Sequence, residues 1–177
     1  MSQTGLLSSL DRSFSSSNEL AQFLLFREMA ALDGQAWGDW LKLYAQDASF
    51  WIPAWIDEHH ITSDPATQTS MIYHVSRDAL EERVWRIGSR RSVTALPLPR
   101  THHMISGALL SRIEDDTLSV ECNGITSMYD VRLKQLSQIF SRYEYIYHYT
   151  AQDWLIWKKK IVITNDSLPA FVDFYSV

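Results

Sequence analysis

Three kinds of side chain in this sequence have the chemistry to move protons. Asp47, the adjacent His102 and His103, and the tyrosines at alternate positions 143, 145, 147 and 149 can supply a proton carrier, a carboxylate to orient it and a phenol to hold a carbonyl oxygen. A strand turns successive side chains to opposite faces, so His102 and His103 cannot both face one pocket. A strand face rich in tyrosine is also ordinary core or interface composition. Two readings therefore stand side by side: a small dehydratase, isomerase or cyclase using Asp47, His102 and a strand tyrosine, or a packed interior that performs no chemistry. A partner-binding or small-ligand-binding module is a third.

The other candidates are weaker. His59 and His60 are adjacent in the polar stretch 57–68 and lack ligand spacing such as HExxH, which makes them solvated loop histidines. Cys122 is the single cysteine, excluding an internal disulfide and any multi-thiolate metal site, and no basic context activates it. Arg83, Arg86, Arg90, Arg91 and Arg100 form a basic cluster that either meets an acidic surface or pairs with Glu81, Glu82 and their neighbours. There is no nucleophile elbow or phosphate-cradling loop, and only 6 glycines from which to build one.

The elements that must position these residues follow from hydrophobic period. Residues 1–15 are Ser-rich and are expected to form an N-terminal arm, with 16–177 as one domain. Ser16 and Glu19 make a capping box before Leu20, Phe23, Leu24, Ala30 and Ala31, predicting a helix that ends near Asp33-Gly34. Trp37, Trp40, Leu41 and Tyr44 predict a second helix. The aromatic segment 49–55 is interrupted by Pro53 and reads as a short edge strand. Asp78 with Glu81 opens a third helix bearing Leu80, Val84 and Ile87, and Leu96-Pro-Leu-Pro99 then forces an extended connector.

From Thr101 the period changes to two, giving strands over 101–113, 117–131, 137–150 and 154–164 in an antiparallel meander. In the second of these the apolar phase moves from Leu118, Val120 and Cys122 to Ile125 and Tyr129, which predicts a β-bulge at Asn123-Gly124. Lys158, Lys159 and Lys160 end the apolar face of the last strand. The apolar tail 168–175 is expected to dock. The fold class is α+β, with N-terminal helices on the concave face of a strongly curved antiparallel sheet.

Composition bounds the partners. A net charge of −5 gives no electrostatic case for nucleic acid or an anionic membrane. No apolar run reaches the ~20 residues of a membrane span, and the N-terminus has no signal-peptide pattern, so the cytoplasm is the expected location. The aromatic load, 7 Trp and 8 Tyr, without a convincing active site favours an obligate protein partner.

The stretch Tyr73 to Gly107 makes this specific. LEERVWRI at 80–87, followed after a connector by PRTHHMISG at 99–107, resembles the small (β) subunit of aromatic-ring-hydroxylating, Rieske non-haem iron dioxygenases. YAQDASF at 44–50, the Pro53 segment, the meander and the apolar tail follow in the same order. The sequence departs from the family pattern at Gly107, where Asn is expected, and at Gly88 in the helix. The resemblance implies a cystatin-like, nuclear-transport-factor-like cone and an assembly of three small with three large subunits. It implies that a Rieske [2Fe–2S] cluster and a mononuclear iron lie in the large subunit, and that electrons arrive from NADH or NADPH through a reductase. It also implies a structural role here, with no catalytic, cofactor or metal residue in this chain and a benzoate-like, carboxylated ring as the substrate type. One cysteine cannot supply the two thiolates of a Rieske centre, which agrees. Arg100 and His102, with Trp85 and Arg91 beside them, are the expected subunit-interface residues.

Overall fold

The computed structural model describes residues 14, 16–89, 97–114, 116–150, 152–168 and 172–177, with backbone alone at 111–114. Most of the expected arm therefore lies outside the described residues, as do Arg90, Arg91 and the start of the connector at Leu96. α1 spans Ser17–Asp33 and is capped by Ser16, whose Oγ accepts the Glu19 N–H at 3.3 Å. Its buried stripe is Leu20, Ala21, Leu24, Leu25, Glu28, Met29 and Leu32, at the three-and-four spacing of one helix face. Phe23 and Ala30, expected inside, point outward. α2 is a short helix, Trp37–Lys42, with Trp40 fully buried.

Six strands follow: β1 (Tyr44–Pro53), β2 (Ser70–His74), β3 (Arg100–Glu114), β4 (Thr117–Asp130), β5 (Gln135–Tyr149) and β6 (Trp154–Ile163). The third helix, α3 (Arg77–Gly88), lies between β2 and β3 and is capped by Ser76, two residues before the expected Asp78. They make one sheet in the order β2-β1-β6-β5-β4-β3. The meander over β3 to β6 stands as the period-two pattern implied.

Three expectations change. Tyr44 opens β1 instead of closing α2, and β1 is an interior strand between β2 and β6. Pro53 is tolerated there because it is the last residue of β1 and sits at a register shift, where no ladder bond is required of it. The sheet is mixed, because β1 runs parallel to β6 while every other pair is antiparallel.

The bulges also fall elsewhere. β4 pairs with β5 without a break from Thr117 to Asp130, and its even-numbered side chains stay inward throughout. Gly124 is not a bulge; it is the place where the Tyr143 ring lies against backbone. The break is on β3, where Ser106 pairs Asn123 and Leu109 pairs Glu121, with Gly107 at φ +63° between them. That left-handed conformation suits glycine and tolerates asparagine, which accounts physically for the Gly107 departure. A bulge in β6 leaves Trp157 without a partner on β5 and flips the phase, so Lys159 joins Trp154, Ile156 and Ile161 inside.

The sheet curls around α1, since that one helix bonds side chains on β1, β3, β5 and β6. The C-terminal segment closes the open end. Phe174 stacks on Trp40 with centroids 4.5 Å apart, Val177 is buried, and Asp173 takes a two-pronged contact from Arg83 of α3 at 2.8–3.1 Å. Arg83 is thus an internal tie and not part of a free basic cluster.

Gly124→Ala places a Cβ 2.5 Å from Cε2 of the buried Tyr143 ring and 3.2 Å from a backbone oxygen. It should cost about 1–3 kcal/mol in denaturant unfolding. Gly38→Ala in α2 meets nothing within 4 Å and should be neutral or slightly stabilising.

Candidate functional site

The interior of the curl holds a charge pair where an active site would sit. Glu28 and Lys159 have fully buried side chains 3.0 Å apart. Glu28 Oε1 also accepts from Trp40 Nε1 at 3.1 Å and Tyr44 OH at 2.6 Å, and Oε2 accepts from Tyr145 OH at 2.8 Å. Lys159 Nζ lies 5.4 Å from the ring centroids of Phe50, Tyr143 and Tyr145, within cation–π range.

Burial alone would raise the Glu28 pKa. The Lys159 charge and the bonds from Tyr44, Tyr145 and Lys159 outweigh it, so the carboxyl is held below its ordinary value and stays ionised. Burial, and then the Glu28 charge, push the Tyr44 and Tyr145 phenols well up, so both remain protonated donors. Three donors converge on Glu28 Oε1 and one on Oε2. The lowered pKa works against proton uptake, and the bonds lock α1, α2, β1, β5 and β6 together.

The proposed proton-transfer trio is not assembled. Asp47 is exposed on β1 and accepts from Trp157 Nε1 at 3.1 Å. His102 is exposed on β3, with β6, β5 and β4 between its strand and that of Asp47. Tyr143, Tyr145 and Tyr147 face the packed interior. The strand pleat separates the histidines as expected, and His103 is the inward one. Its Nδ1 lies 2.6 Å from Asp33 Oδ1 and its backbone N–H donates to Asp33 Oδ2 at 3.0 Å. His102 Nδ1 reaches the same carboxylate at 3.5 Å. Burial works against the Asp33 charge, but the hydrogen bonds and charge of His103 hold its pKa below the ordinary value. His59 and His60 lie in an exposed loop, where His60 contacts Asp57 at 2.8 Å. Trp85 and Arg100 are exposed, and Arg91 is outside the described residues.

Among the described residues no three His, Cys, Asp or Glu side chains converge as metal ligands. Burial pushes the Cys122 thiol up to about 12, so it is not a thiolate at neutral pH. The donors among the described residues fit neither a Rieske cluster nor a mononuclear iron. No helix among the described residues is long and apolar enough to cross a membrane.

A curled six-stranded sheet closed by helices around a buried ion pair is the α+β cone of the nuclear-transport-factor type. Residues 27–170 match the family model described as ring hydroxylating beta subunit. The toluate 1,2-dioxygenase subunit beta of Pseudomonas putida is 37% identical over 91% of this chain and 98% of its own length. The benzoate 1,2-dioxygenase subunit beta of Acinetobacter baylyi is 33% identical over the whole of both chains. The solved beta subunit of benzoate 1,2-dioxygenase from Burkholderia mallei superposes with a TM-score of 0.74 at 30% identity, covering 98% of this chain and all of that one. The chain belongs to the ring-hydroxylating beta-subunit family, the small subunits of aromatic-ring dioxygenases. The stand-alone dehydratase, isomerase or cyclase reading is not favoured.

The Glu28–Lys159 pair was missed from sequence, although a signal existed: Glu28 is a charge on the apolar stripe of α1. Lys159→Met should destabilise by about 3–5 kcal/mol in chemical unfolding, because it leaves a buried carboxylate without its counter-charge. Adding Glu28→Gln should recover part of that loss.

Because the folded-state pKa values of Glu28 and Asp33 lie below the ordinary 4.5 and 3.8, both groups contribute stability at neutral pH. That contribution is lost as pH falls below those ordinary values and through the lower folded ones. Unfolding midpoints measured from neutral pH downward should fall steeply in the acid range, and a flat profile would contradict it.

Proposed function

We propose that this chain is the non-catalytic, structural subunit of a multicomponent aromatic-ring-hydroxylating dioxygenase. It supports large subunits that add O2 to a carboxylated, benzoate-like ring. The buried Glu28 carboxylate carries the reading, because its bonds are committed to holding five elements together. The relatives named for toluate and benzoate dioxygenases support the substrate type. In this assembly the large subunit holds the Rieske [2Fe–2S] cluster and the mononuclear iron, and a reductase delivers electrons from NADH or NADPH. Three large and three small subunits associate, in the cytoplasm, with residues 16–177 of this chain as one folded unit.

Arg100 and His102 are the proposed interface residues, with Trp85 and Arg91 as a second group. Their setting supports this. Arg100, Tyr129 and Leu136 form one cross-strand row on the outer face of β3, β4 and β5. His102, Ser127 and Gln138 form the next row, and Met104, Ile125 and Phe140 the third. Tyr129, Leu136, Met104 and Phe140 are 37–67% exposed, and Trp85 on α3 is 60% exposed. A contiguous apolar face with polar centre and rim is the composition of an interface.

Co-expressed with the large subunit encoded beside it, the chain should co-purify as a brown, iron-containing complex. Arg100→Glu with His102→Ala should weaken that association by about tenfold or more while shifting the stability of the isolated chain by less than about 0.5 kcal/mol. A colourless protein that turns over a substrate alone, without iron or NADH, would overturn the reading.

A further inference from the structure

Asp33 stands where a helix least favours an acid. It is the last residue of α1, whose final turn carries no basic side chain, so its carboxylate adds to the negative end of the helix dipole. Burial opposes its charge as well, yet the carboxyl is held ionised, with its pKa below the ordinary value. What offsets both is β3. Three consecutive residues of that strand converge on the one carboxylate. The Thr101 side chain hydrogen-bonds it, and His102 Nδ1 lies 3.5 Å from Oδ2. His103 donates its backbone N–H to Oδ2 at 3.0 Å and sets Nδ1 2.6 Å from Oδ1.

Consecutive strand residues face opposite ways, so one carboxylate reaches both histidines only from the open edge of their strand. β3 is an edge of the sheet, and α1 packs against it. The His103 side chain turns inward and is 1% exposed, whereas that of His102 turns outward and is 72% exposed. The short inner contacts fix the carboxylate, and the fixed carboxylate then stands beside the outer ring. A ring nitrogen that faces a carboxylate carries its hydrogen in the neutral and the charged imidazole alike. His102 therefore gives Nδ1–H to Asp33 and leaves Nε2 for a partner. That ring lies on the outer face between the Tyr129–Leu136 row and the Ile125–Phe140 row.

We propose that Asp33 is a positioning residue for docking: from the open edge of β3 it holds the His102 ring so that Nε2 meets a hydrogen-bonding group of the large subunit. The inference rests on the subunit reading given above and adds to it a residue behind the surface. One helix then serves both ends, with Glu28 fixing the core and Asp33 the docking face.

A double-mutant cycle on large-subunit binding tests it. The full-length chain is titrated into the large subunit encoded beside it. Asp33→Asn, which keeps the size of the side chain, should weaken binding roughly three- to tenfold, and His102→Ala should weaken it by at least as much. The two together should lose no more than His102→Ala alone, because Asp33 acts through that ring. A purely structural Asp33 predicts losses that multiply. Multiplied losses, or full-strength binding by Asp33→Asn, overturn the proposal. Tyr44→Phe, which loosens the Glu28 network away from β3, should lower Tm and leave binding unchanged; if it weakens binding as much as Asp33→Asn does, stability and not positioning is at work. Where Asp33→Asn is too unstable to purify, Asp33→Glu keeps the charge, moves it by one methylene and enters the same cycle. If the wild-type chain itself does not bind the large subunit, the subunit reading fails and takes this inference with it. If it binds and the losses multiply, only the role of Asp33 fails.

Discussion

Everything in the fold must accommodate one ion pair that has no access to water. Glu28 and Lys159 come from the first helix and the last strand, and neither tolerates burial without the other. Trp40 and Tyr44 complete the carboxylate shell only because a single residue, Leu43, separates α2 from β1. Tyr145 completes it only because β5 keeps its odd-numbered side chains inward over its whole middle. The bulge at Trp157 is what delivers Lys159 to the same point. Helix placement, strand phase and bulge position are therefore aspects of a single requirement, that a buried charge have all its partners.

That requirement separates scaffold from function. A cone of helices and curled sheet can enclose a pocket, and fold alone does not say whether it does. Here the Glu28 carboxylate is taken up by four internal donors, the aromatic rings of Phe50, Tyr143 and Tyr145 lie around the ammonium, and Phe174 stacks on Trp40. Asp47, His102 and Arg100, which the sequence offered for chemistry or docking, lie on the outside. The balance of chemistry is turned outward, as suits a subunit whose partners carry the reaction.

Much of this was legible in the sequence where local pattern and tertiary environment agree. The cap at Ser16, the meander from β3 to β6 and the inward tyrosines of β5 follow from periodicity, and LEERVWRI with PRTHHMISG carried the family resemblance. What failed was decided by partners distant in sequence. Pro53 argued for an edge strand, but β6 pairs along the side of β1 that the sequence left unassigned. The apparent phase shift at Asn123-Gly124 came from taking Ile125 and Tyr129 as inward, when they belong to the apolar outer face. Lys159 reads with Lys158 and Lys160 as the end of an apolar face because a bulge is invisible to a period count. The exposed strand β2 is too short to register as a pattern at all.

The parallel pairing of β1 with β6 sets an order of assembly. Tyr44 and Ile156 are neighbours in the sheet yet lie over a hundred residues apart in the chain, whereas each pair in the β3–β6 meander closes through a short turn. Loop-closure entropy therefore favours the meander as the early structure, with β1, β2 and the N-terminal helices condensing on it last. Until β6 exists, β1 has only β2 to pair with and Glu28 has no cation. On the ribosome the first half of this protein must wait, apolar face uncovered, for the second.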